Sequence, residues 1–172
     1  MHARDDLDLL FPAESHSAAG TLELGTSLAE HLHEGDVIAL YGELGAGKTV
    51  FARGICQALG VDPTRVLSPT FTILHEYGGA HVSEPSHRSR HTSVPVYHFD
   101  AYRINRIDEF FGIGYEEYFY GDGISIVEWA DKVEALLPEN ALRIRLKNGG
   151  GDVRHFSLIP SDEARPLGHG NA

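Results

Sequence analysis

Apolar and polar positions along the chain follow two alternating periods, one that suits helices and one that suits buried strands. The segment 21–33 places its apolar residues largely on one face of a helix, and Ser17 lies upstream as a candidate N-cap. The short apolar run 37–41 predicts a strand buried on both faces. Residues 48–59 again have helical spacing, and Gly60 occupies the position where helices commonly end.

The same alternation continues along the rest of the chain. Further strands are predicted at 71–77, 94–100, 124–128, 142–147 and 153–159, and further helical segments at 107–120 and 131–137. Strands that alternate with helices in this way predict an α/β architecture with parallel strands. We find no internal repeat in the sequence.

The chain length suits one domain with short additions. The sequence has 172 residues, and we expect residues 1–16 to form a lead before the first helix. Residues 78–93 are rich in Gly, Ser, His and Pro, which predicts a mobile loop inserted between two strands. Residues 161–172 predict a frayed tail.

The stretch GELGAGKT, residues 42–49, has the composition of a phosphate-binding loop, and we call it the phosphate loop. Its glycines let main-chain N–H groups converge on phosphate oxygens, and the helix that follows adds its positive N-terminal end. Lys48, expected to face solvent, is placed to reach the β- and γ-phosphates, and Thr49 to bind the magnesium ion that bridges them. The predicted nucleotide-binding residues here are Glu43, Leu44, Gly45, Ala46, Gly47, Lys48 and Thr49.

Two carboxylates end predicted strands downstream of the phosphate loop. Asp100 closes the strand 94–100 and Glu128 closes the strand 124–128, so both fall at the carboxyl edge where open α/β sheets bind ligands. An acidic residue at a strand end is often only solvated. Two of them after a phosphate loop predict a metal ligand and a group that orients the attacking water.

Between the loop and the carboxylates lies Ser68-Pro69-Thr70-Phe71, a rigid turn that enters a strand. A hydroxyl group on this segment could sense the γ-phosphate, as the switch threonine of regulatory NTPases does. Capping of the turn by Ser68 or Thr70 is the alternative, and the local sequence does not separate the two.

Composition limits the classes of partner. The formal net charge of -11 argues against tight direct binding to a nucleic-acid backbone, because that affinity comes mainly from Lys and Arg. No apolar stretch approaches the ~20 residues needed to span a bilayer, and the N-terminal residues are acidic where a signal peptide would be basic. The single cysteine, Cys56, fits a reducing compartment. We therefore expect a cytoplasmic protein with no membrane partner.

The motifs together resemble the bacterial TsaE family, formerly called YjeE. The segments that carry the resemblance are GELGAGKT, SPTFTILHEY, VYHFDAYRI, FGIGYEEYF and ISIVEWAD, and the helix TLELGTSLAEHL has a similar Thr-x-x-Leu-Gly pattern. The resemblance covers about residues 21–137. It implies a P-loop NTPase-like three-layer α/β domain with a mostly parallel central sheet and an added antiparallel portion.

The resemblance also implies an activity. Members of the family are ATPases that use ATP and Mg²⁺ and support the threonylcarbamoyladenosine modification of tRNAs that read codons beginning with A. The protein would act with the partners TsaB and TsaD, its ATP cycle supporting repeated turnover by TsaD. The tRNA would be handled by those partners, which agrees with the acidic composition.

Carried onto this sequence, the family pattern assigns roles to five residues. Lys48 would bind phosphate, Thr49 and Glu128 would bind the magnesium ion, and Asp100 would serve the hydrolytic step. Thr70 would lie on the switch-like segment. Whether Asp100 or Glu128 is the direct metal carboxylate stays open at this point.

The family's N-terminal segment approaches the adenine, and Ser17 and Thr21 occupy that place in this sequence. The chain departs from the family in the long segment 78–93, which is usually a short turn, and in its longer N-terminal lead. Neither departure removes a matched functional residue, although the segment 78–93 could alter access to the site.

Two other classes of function fit a phosphate loop in a chain of this size. A small-molecule kinase would need an acceptor pocket and an arginine-bearing lid, for which Arg103, Arg106, Arg88 and Arg90 are the candidates. A nucleotide-gated binding module would use ATP only to order a surface that faces a partner. Phosphate release in a single turnover separates such a module from an ATPase.

Overall fold

A computed structural model of the chain describes residues 7–78, 94–160 and 163. The first half contains α1 (Leu7–Leu10), β1 (Ala13–Ser15), α2 (Ala18–Ala29), β2 (Val37–Tyr41), α3 (Lys48–Ala58), a 3-10 helix (Pro63–Arg65) and β3 (Leu74–Tyr77). The second half contains β4 (Val96–Asp100), α4 (Asp108–Phe111), α5 (Tyr115–Phe119), β5 (Ile124–Glu128), a 3-10 helix (Ala130–Leu136), β6 (Leu142–Gly150) and β7 (Val153–Leu158).

The strands of the described residues form one seven-stranded sheet in the order β1-β7-β6-β2-β5-β4-β3. Neighbouring strands are parallel from β6 through β2 and β5 to β4. The outer strands β3, β7 and β1 pair antiparallel with their neighbours. Because parallel strands end at the same edge, the carboxyl ends of β2, β4 and β5 lie side by side there.

Helices cover both faces of the sheet. On one face α2 and α3 bury Leu28, Phe51 and Ile55 against the strands. On the other face the ring of Phe99 packs against Phe110 of α4, with the two ring centroids 5.4 Å apart. These three layers and the mostly parallel sheet confirm the predicted fold class.

Helices α2 and α3 cross with their backbones in contact. A Cβ atom placed on Gly25 would lie 3.2 Å from the Cα atom of Gly54 and would overlap the carbonyl oxygen of Phe51. A Cβ atom on Gly54 would overlap the carbonyl oxygen of Leu22. Only glycine lets the two helices approach so closely, and this contact sets the first turn of α2 against the start of α3.

A buried ion pair lies at the end of β2. Arg143 of β6 donates from Nε to Oε1 of Glu134 at 3.0 Å, its Nη2 lies 3.0 Å from the same oxygen, and both side chains are buried. The hydroxyl of Tyr41 donates to the other oxygen of Glu134. Burial, then this hydrogen bond, raises the pKa of Tyr41. The cluster joins the 3-10 helix Ala130–Leu136 to the strand that leads into the phosphate loop.

Most predicted elements are present, with changes at their ends. Strands β2 and β5 have the predicted bounds, whereas α2 begins at Ala18 and ends at Ala29. Strand β3 begins only at Leu74, because the amides of Thr72 and Ile73 both donate to the carbonyl of Pro69 and form a turn. The segment 107–120 divides into α4 and α5, and the segment 131–137 is 3-10 rather than α-helical.

The N-terminal part of the chain contains structure that the sequence pattern did not predict. Within the predicted lead 1–16, residues 7–10 form α1 and residues 13–15 form β1, which pairs with β7. Apart from Gly78, the predicted loop 78–93 lies outside the described residues, and so does the predicted tail 161–172 except Glu163. Within the described ranges, no helix combines the length and apolar character required to cross a membrane.

Candidate functional site

The phosphate loop joins β2 to α3 at the carboxyl edge of the sheet. Gly42, Gly45 and Gly47 have φ values of 152°, 79° and 100°, which side-chain-bearing residues rarely adopt. Gly42 also lacks room for a side chain, because a Cβ atom there would overlap the carbonyl oxygen of Leu146. The predicted loop conformation, with glycines supplying the tight turns into the helix, is therefore present.

Lys48 lies at the centre of the loop and is not solvent-facing, contrary to the expectation from sequence. It is 4% exposed, and its Nζ donates to the carbonyl oxygens of Gly42 at 2.5 Å and Glu43 at 2.8 Å. The same nitrogen lies 3.8 Å from the centroid of the Trp129 ring. Burial lowers the pKa of Lys48, an effect that the nearby carboxylate of Glu128 opposes.

Glu128 is held from two sides at the end of β5. Thr49 Oγ1 donates to its Oε2 at 2.8 Å, and His98 Nε2 lies 2.8 Å from its Oε1. His98 is fully buried, and its Nδ1 has no hydrogen-bond partner among the described residues. We assign the imidazole proton to Nε2, because the carboxylate oxygen that faces it is an acceptor.

Asp100 lies beside Glu128 in the sheet, since the two residues are partners in the β4–β5 register. Its Oδ2 accepts hydrogen bonds from Ser68 Oγ at 2.8 Å and from Thr70 Oγ1 at 2.6 Å, and its Oδ1 accepts from the amide of Tyr102 at 2.9 Å. Asp100 and Glu128 are each 2% exposed. Neither is a solvated strand end, and the hydroxyls of segment 68–71 bond to a carboxylate of the site.

The turn that carries Thr70 has an unusual backbone. Ile73 has φ of 67°, a left-handed conformation that a β-branched residue rarely adopts. Its carbonyl accepts from the amide of Asp100 at 2.9 Å, which fixes the turn to β4. Phe71, next to Thr70, is 82% exposed, and the guanidinium of Arg103 lies 4.0 Å from its ring centroid.

The first turn of α2 forms the other end of the cleft. Ser17 caps the helix, as predicted, and its Oγ accepts from the amide of Gly20 at 3.0 Å. Ser15 Oγ and Thr21 Oγ1 form a buried hydrogen bond of 2.7 Å. Thr21 therefore uses its hydroxyl within the protein and presents its methyl group towards Gly47.

The structure brings most of the predicted site residues into one cleft of about 480 Å³. Glu43 and Ala46 belong to the loop but do not line the cleft: the amide of Ala46 donates to the carbonyl of Glu43 at 3.1 Å, and the methyl of Ala46 is in the core. The predicted residues that line it are Ser17, Thr21, Leu44, Gly45, Gly47, Lys48, Thr49, Ser68, Thr70, Asp100 and Glu128.

Several residues of the site were not predicted, and three of them have clear structural roles. Asp152 and Arg154, from the β6–β7 hairpin, line the cleft, and His98 supports Glu128 from below it. The sequence around Asp152 and Arg154 contains no motif that identifies them as site residues. Their position depends on the pairing of β1 with β7, which joins distant parts of the chain. His98 occurs in the segment VYHFD, and a parallel pairing of its strand with 124–128 would have indicated its contact with Glu128.

Comparisons with known proteins agree with this geometry. The family model described as "Threonylcarbamoyl adenosine biosynthesis protein TsaE" matches residues 15–156. The chain is 42% identical to the tRNA threonylcarbamoyladenosine biosynthesis protein TsaE of Bacillus subtilis (strain 168), over 72% of this chain and 69% of that protein. It is 38% identical to the protein of the same name from Treponema pallidum (strain Nichols), over 77% of this chain and 88% of that protein.

A solved structure shares the fold. The crystal structure of Bacillus subtilis YdiB superposes with a TM-score of 0.67 and 32% sequence identity, over 86% of this chain and 83% of that chain. The family model extends beyond the segment 21–137 that carried the resemblance and includes β6 and most of β7. Since the match spans most of the sequence and contains the phosphate loop and both carboxylates, the chain belongs to the TsaE family.

Proposed function

We propose that the protein binds ATP with Mg²⁺ and hydrolyses it as a component of tRNA threonylcarbamoyladenosine biosynthesis. The observation that carries the proposal is a phosphate loop beside two buried carboxylates: Thr49 of the loop bonds to Glu128, and Thr70 of the exposed turn bonds to Asp100. The role in tRNA threonylcarbamoyladenosine biosynthesis is inferred from the names of two relatives. Both the 42% and the 38% identical relatives are named for that biosynthesis.

The donor set at Thr49 and Glu128 fits a magnesium ion. Mg²⁺ prefers oxygen ligands and usually takes only one or two from the protein, with phosphate oxygens and water completing its shell. Thr49 Oγ1 and Glu128 Oε2 are two such oxygens on adjacent elements. When bound there, Mg²⁺ neutralises part of the charge on the β- and γ-phosphates.

The remaining groups divide the work of binding and hydrolysis. Lys48 exchanges the carbonyl oxygens of Gly42 and Glu43 for phosphate oxygens, so its charge is already at the loop before the ligand arrives. Asp100 has no bond to Thr49 and accepts hydrogen bonds from the hydroxyls of Ser68 and Thr70 instead, so we assign it to orienting the attacking water. Thr70, bonded to Asp100, links that carboxylate to the exposed turn.

We propose TsaB and TsaD as the partners on which hydrolysis depends. The net charge of -11 favours contact with tRNA through those proteins rather than directly. The rim of the cleft offers a contact surface, because Phe71 is 82% exposed and Tyr102 is 41% exposed on either side of the Asp100 contacts. A partner that covers these rings would act on the segment that holds Thr70. A cytoplasmic location follows from the same proposal.

Neither of the two described arginines that were candidates for a kinase lid, Arg103 and Arg106, lines the cleft. Arg106 pairs with Asp108 on the surface, and Arg103 packs on the ring of Phe71. Arg88 and Arg90 lie outside the described residues. A binding module with negligible turnover would use the same cleft, and only kinetics separates it from an ATPase.

The test is ATP hydrolysis by the purified protein alone and with TsaB and TsaD added singly and together. We expect turnover to rise only when both partners are present, and Lys48→Met to remove that rise. Hydrolysis that responds instead to an added nucleoside would favour the kinase. Release of no phosphate in a single turnover of the assembled complex would leave only the binding module.

A further inference from the structure

One face of the sheet is open beyond the buried pair of Arg143 and Glu134. Side chains on a strand alternate between the two faces, so Arg143, Arg145 and Lys147 of β6 share one face, and the residues between them are in the core on the other. Arg143 is covered by Glu134. Further along the strand burial falls, because Arg145 is half-buried and Lys147 is exposed. The end of β6 therefore presents two cations on an open face.

The neighbouring strands extend this surface towards the edge of the sheet. In the β6–β7 register Ser157 is the partner of Arg145, and His155 is the partner of Lys147. Glu14 of β1 is the partner of His155 in turn. We call the surface made by Arg145, Lys147, Ser157 and His155 the β6–β7 face. It has two cations, two neutral polar groups and one carboxylate at its border.

Two cavities adjoin the β6–β7 face. One of about 340 Å³ is lined by Arg145 and Lys147 and reaches Gly42 and Glu43 of the phosphate loop. The other, of about 440 Å³, reaches β1, and Lys147 lines it as well. The smaller cavity shares no lining residue with the cleft that contains Thr49 and the site carboxylates. The β6–β7 face is therefore a separate surface that meets the phosphate loop.

The two cations of this face are not neutralised by the residues that the structure describes. Among those residues no carboxylate lies within salt-bridge distance of Arg145 or Lys147, although Glu43 lines the same cavity. Glu14 is instead held by His155, with Nδ1 of the imidazole 2.9 Å from Oε2 of the carboxylate. The sequence has 25 Asp and Glu residues against 14 Lys and Arg residues. An acidic chain thus leaves two adjacent cations available to a partner.

We infer that the β6–β7 face binds an acidic segment of a protein partner, whose carboxylates contact Arg145 and Lys147. A guanidinium binds a carboxylate through two parallel N–H groups, and the cavity beside it has room for a side chain. The net charge of -11 repels an acidic surface over most of the molecule. A local positive face therefore selects the orientation in which such a surface docks.

A nucleic acid fits this face less well. Backbone binding depends on many phosphate contacts, whereas the face has two unpaired cations. Single strands stack their bases on aromatic rings, and the face contains no Phe, Tyr or Trp. The inference rests on the proposed function in that TsaB and TsaD are the partners. It adds a contact surface distinct from the rim at Phe71 and Tyr102.

The experiment measures association of the protein with TsaB and TsaD by biolayer interferometry, with ATP and Mg²⁺ present, at several salt concentrations. In the double variant Arg145→Gln with Lys147→Gln we expect the association rate at low salt to fall about tenfold, the lower range of electrostatic steering. The dependence of that rate on salt should weaken too. Lys147→Gln alone, at an exposed position, should show part of the fall. Unchanged affinity for ADP in calorimetry shows that each variant is folded.

Arg65→Gln is the matched control, because it removes an exposed positive charge near β3, at the opposite edge of the sheet. It should leave association unchanged. Unchanged association of the double variant, at every salt concentration, would overturn the inference and leave the proposed function intact. Loss of tRNA binding with unchanged partner association would assign the face to nucleic acid and also overturn it. Wild-type protein that associates with neither TsaB nor TsaD would overturn the inference and the proposed partners together.

Discussion

Thr49 donates a hydrogen bond of 2.8 Å to Glu128, joining the first turn of α3 to the end of β5. Asp100, the partner of Glu128 in the sheet, makes no such bond and accepts instead from Ser68 and Thr70. Two neighbouring carboxylates of equal burial are therefore attached to different parts of the cleft. One is attached to the phosphate loop and the other to an exposed turn.

This difference predicts that substitutions of the two carboxylates affect different measurements. A metal ligand acts in the ground state and in the transition state, so Glu128→Ala should weaken Mg²⁺-dependent ADP binding about tenfold or more and also slow hydrolysis. Asp100→Asn should spare affinity and reduce the rate about 100-fold, as the loss of a general base does. Calorimetry gives the affinities, and phosphate release with TsaB and TsaD gives the rates.

The opposite pattern would reverse the two assignments. If Asp100→Asn lost the magnesium dependence of binding while Glu128→Ala kept it, Asp100 would be the metal carboxylate. Fluorescence of Trp129, the only tryptophan in the sequence, provides a second signal, because its ring contacts the Lys48 ammonium. Repeating the titrations without Mg²⁺ separates metal effects from changes in the fold.

Lys48→Met should reduce affinity for ADP and for tripolyphosphate alike, each by roughly 10- to 100-fold, the value of a hydrogen bond to a charged group. Methionine is the better substitution than alanine, because Lys48 is buried and a truncated side chain would leave a cavity against Trp129. Calorimetry measures both affinities. Unchanged binding in a folded Lys48→Met protein would show that this loop is not the nucleotide site.

The phosphate loop was predictable because the features that identify it lie close together in the sequence. Glycines at 42, 45 and 47, a strand before them and a helix after them are all visible within a short window. The burial of Lys48 was not predictable in the same way. Its position depends on Trp129, which comes from the far end of β5 and is brought near by parallel pairing.

His98 should act as a positioning residue for Glu128. His98→Leu removes the donor that holds Oε1 of the carboxylate, so we expect Mg²⁺-dependent ADP affinity to fall about tenfold, the lower range for the loss of a supporting contact to a metal ligand. His98→Gln keeps an amide donor and should recover part of that affinity. The measurement is ADP binding at several Mg²⁺ concentrations, with thermal unfolding of each variant.

A purely structural role for His98 would give a different result. Both variants would then lower the melting temperature while ADP affinity kept its wild-type dependence on Mg²⁺. Partial recovery by His98→Gln at equal melting temperature is the outcome that only a positioning role explains.

The buried pair of Glu134 and Arg143 should contribute more to stability than an exposed pair of the same type. Glu134→Ala leaves a buried guanidinium without its carboxylate, so we expect the free energy of unfolding to fall by about 3–5 kcal/mol. Asp108→Ala, which breaks the exposed pair with Arg106, should change it by about 1 kcal/mol or less. Urea denaturation measures both, and equal effects would contradict the prediction.

The sequence was least informative where contacts depend on the order of strands in the sheet. Asp100 and Glu128 were found because each ends a predicted strand and parallel strands end at one edge. Arg154 was missed because its place depends on β1, a strand of only Ala13–Ser15 in a segment predicted to be a lead. Three residues carry too little periodicity to identify a strand, and its antiparallel partner is at the other end of the chain.

The crossing at Gly25 and Gly54 brings the backbone of the helix capped by Ser17 into direct contact with the backbone of the helix that begins at Lys48. A methyl group at either glycine would part them, although the phosphate loop and both carboxylates would keep their sequence. A descendant of this chain could thus lose one end of its cleft while retaining every motif by which such proteins are recognised. A relative that has lost Gly25 or Gly54 should therefore be expected to have a damaged nucleotide cleft, as should a relative that has lost a residue of the phosphate loop.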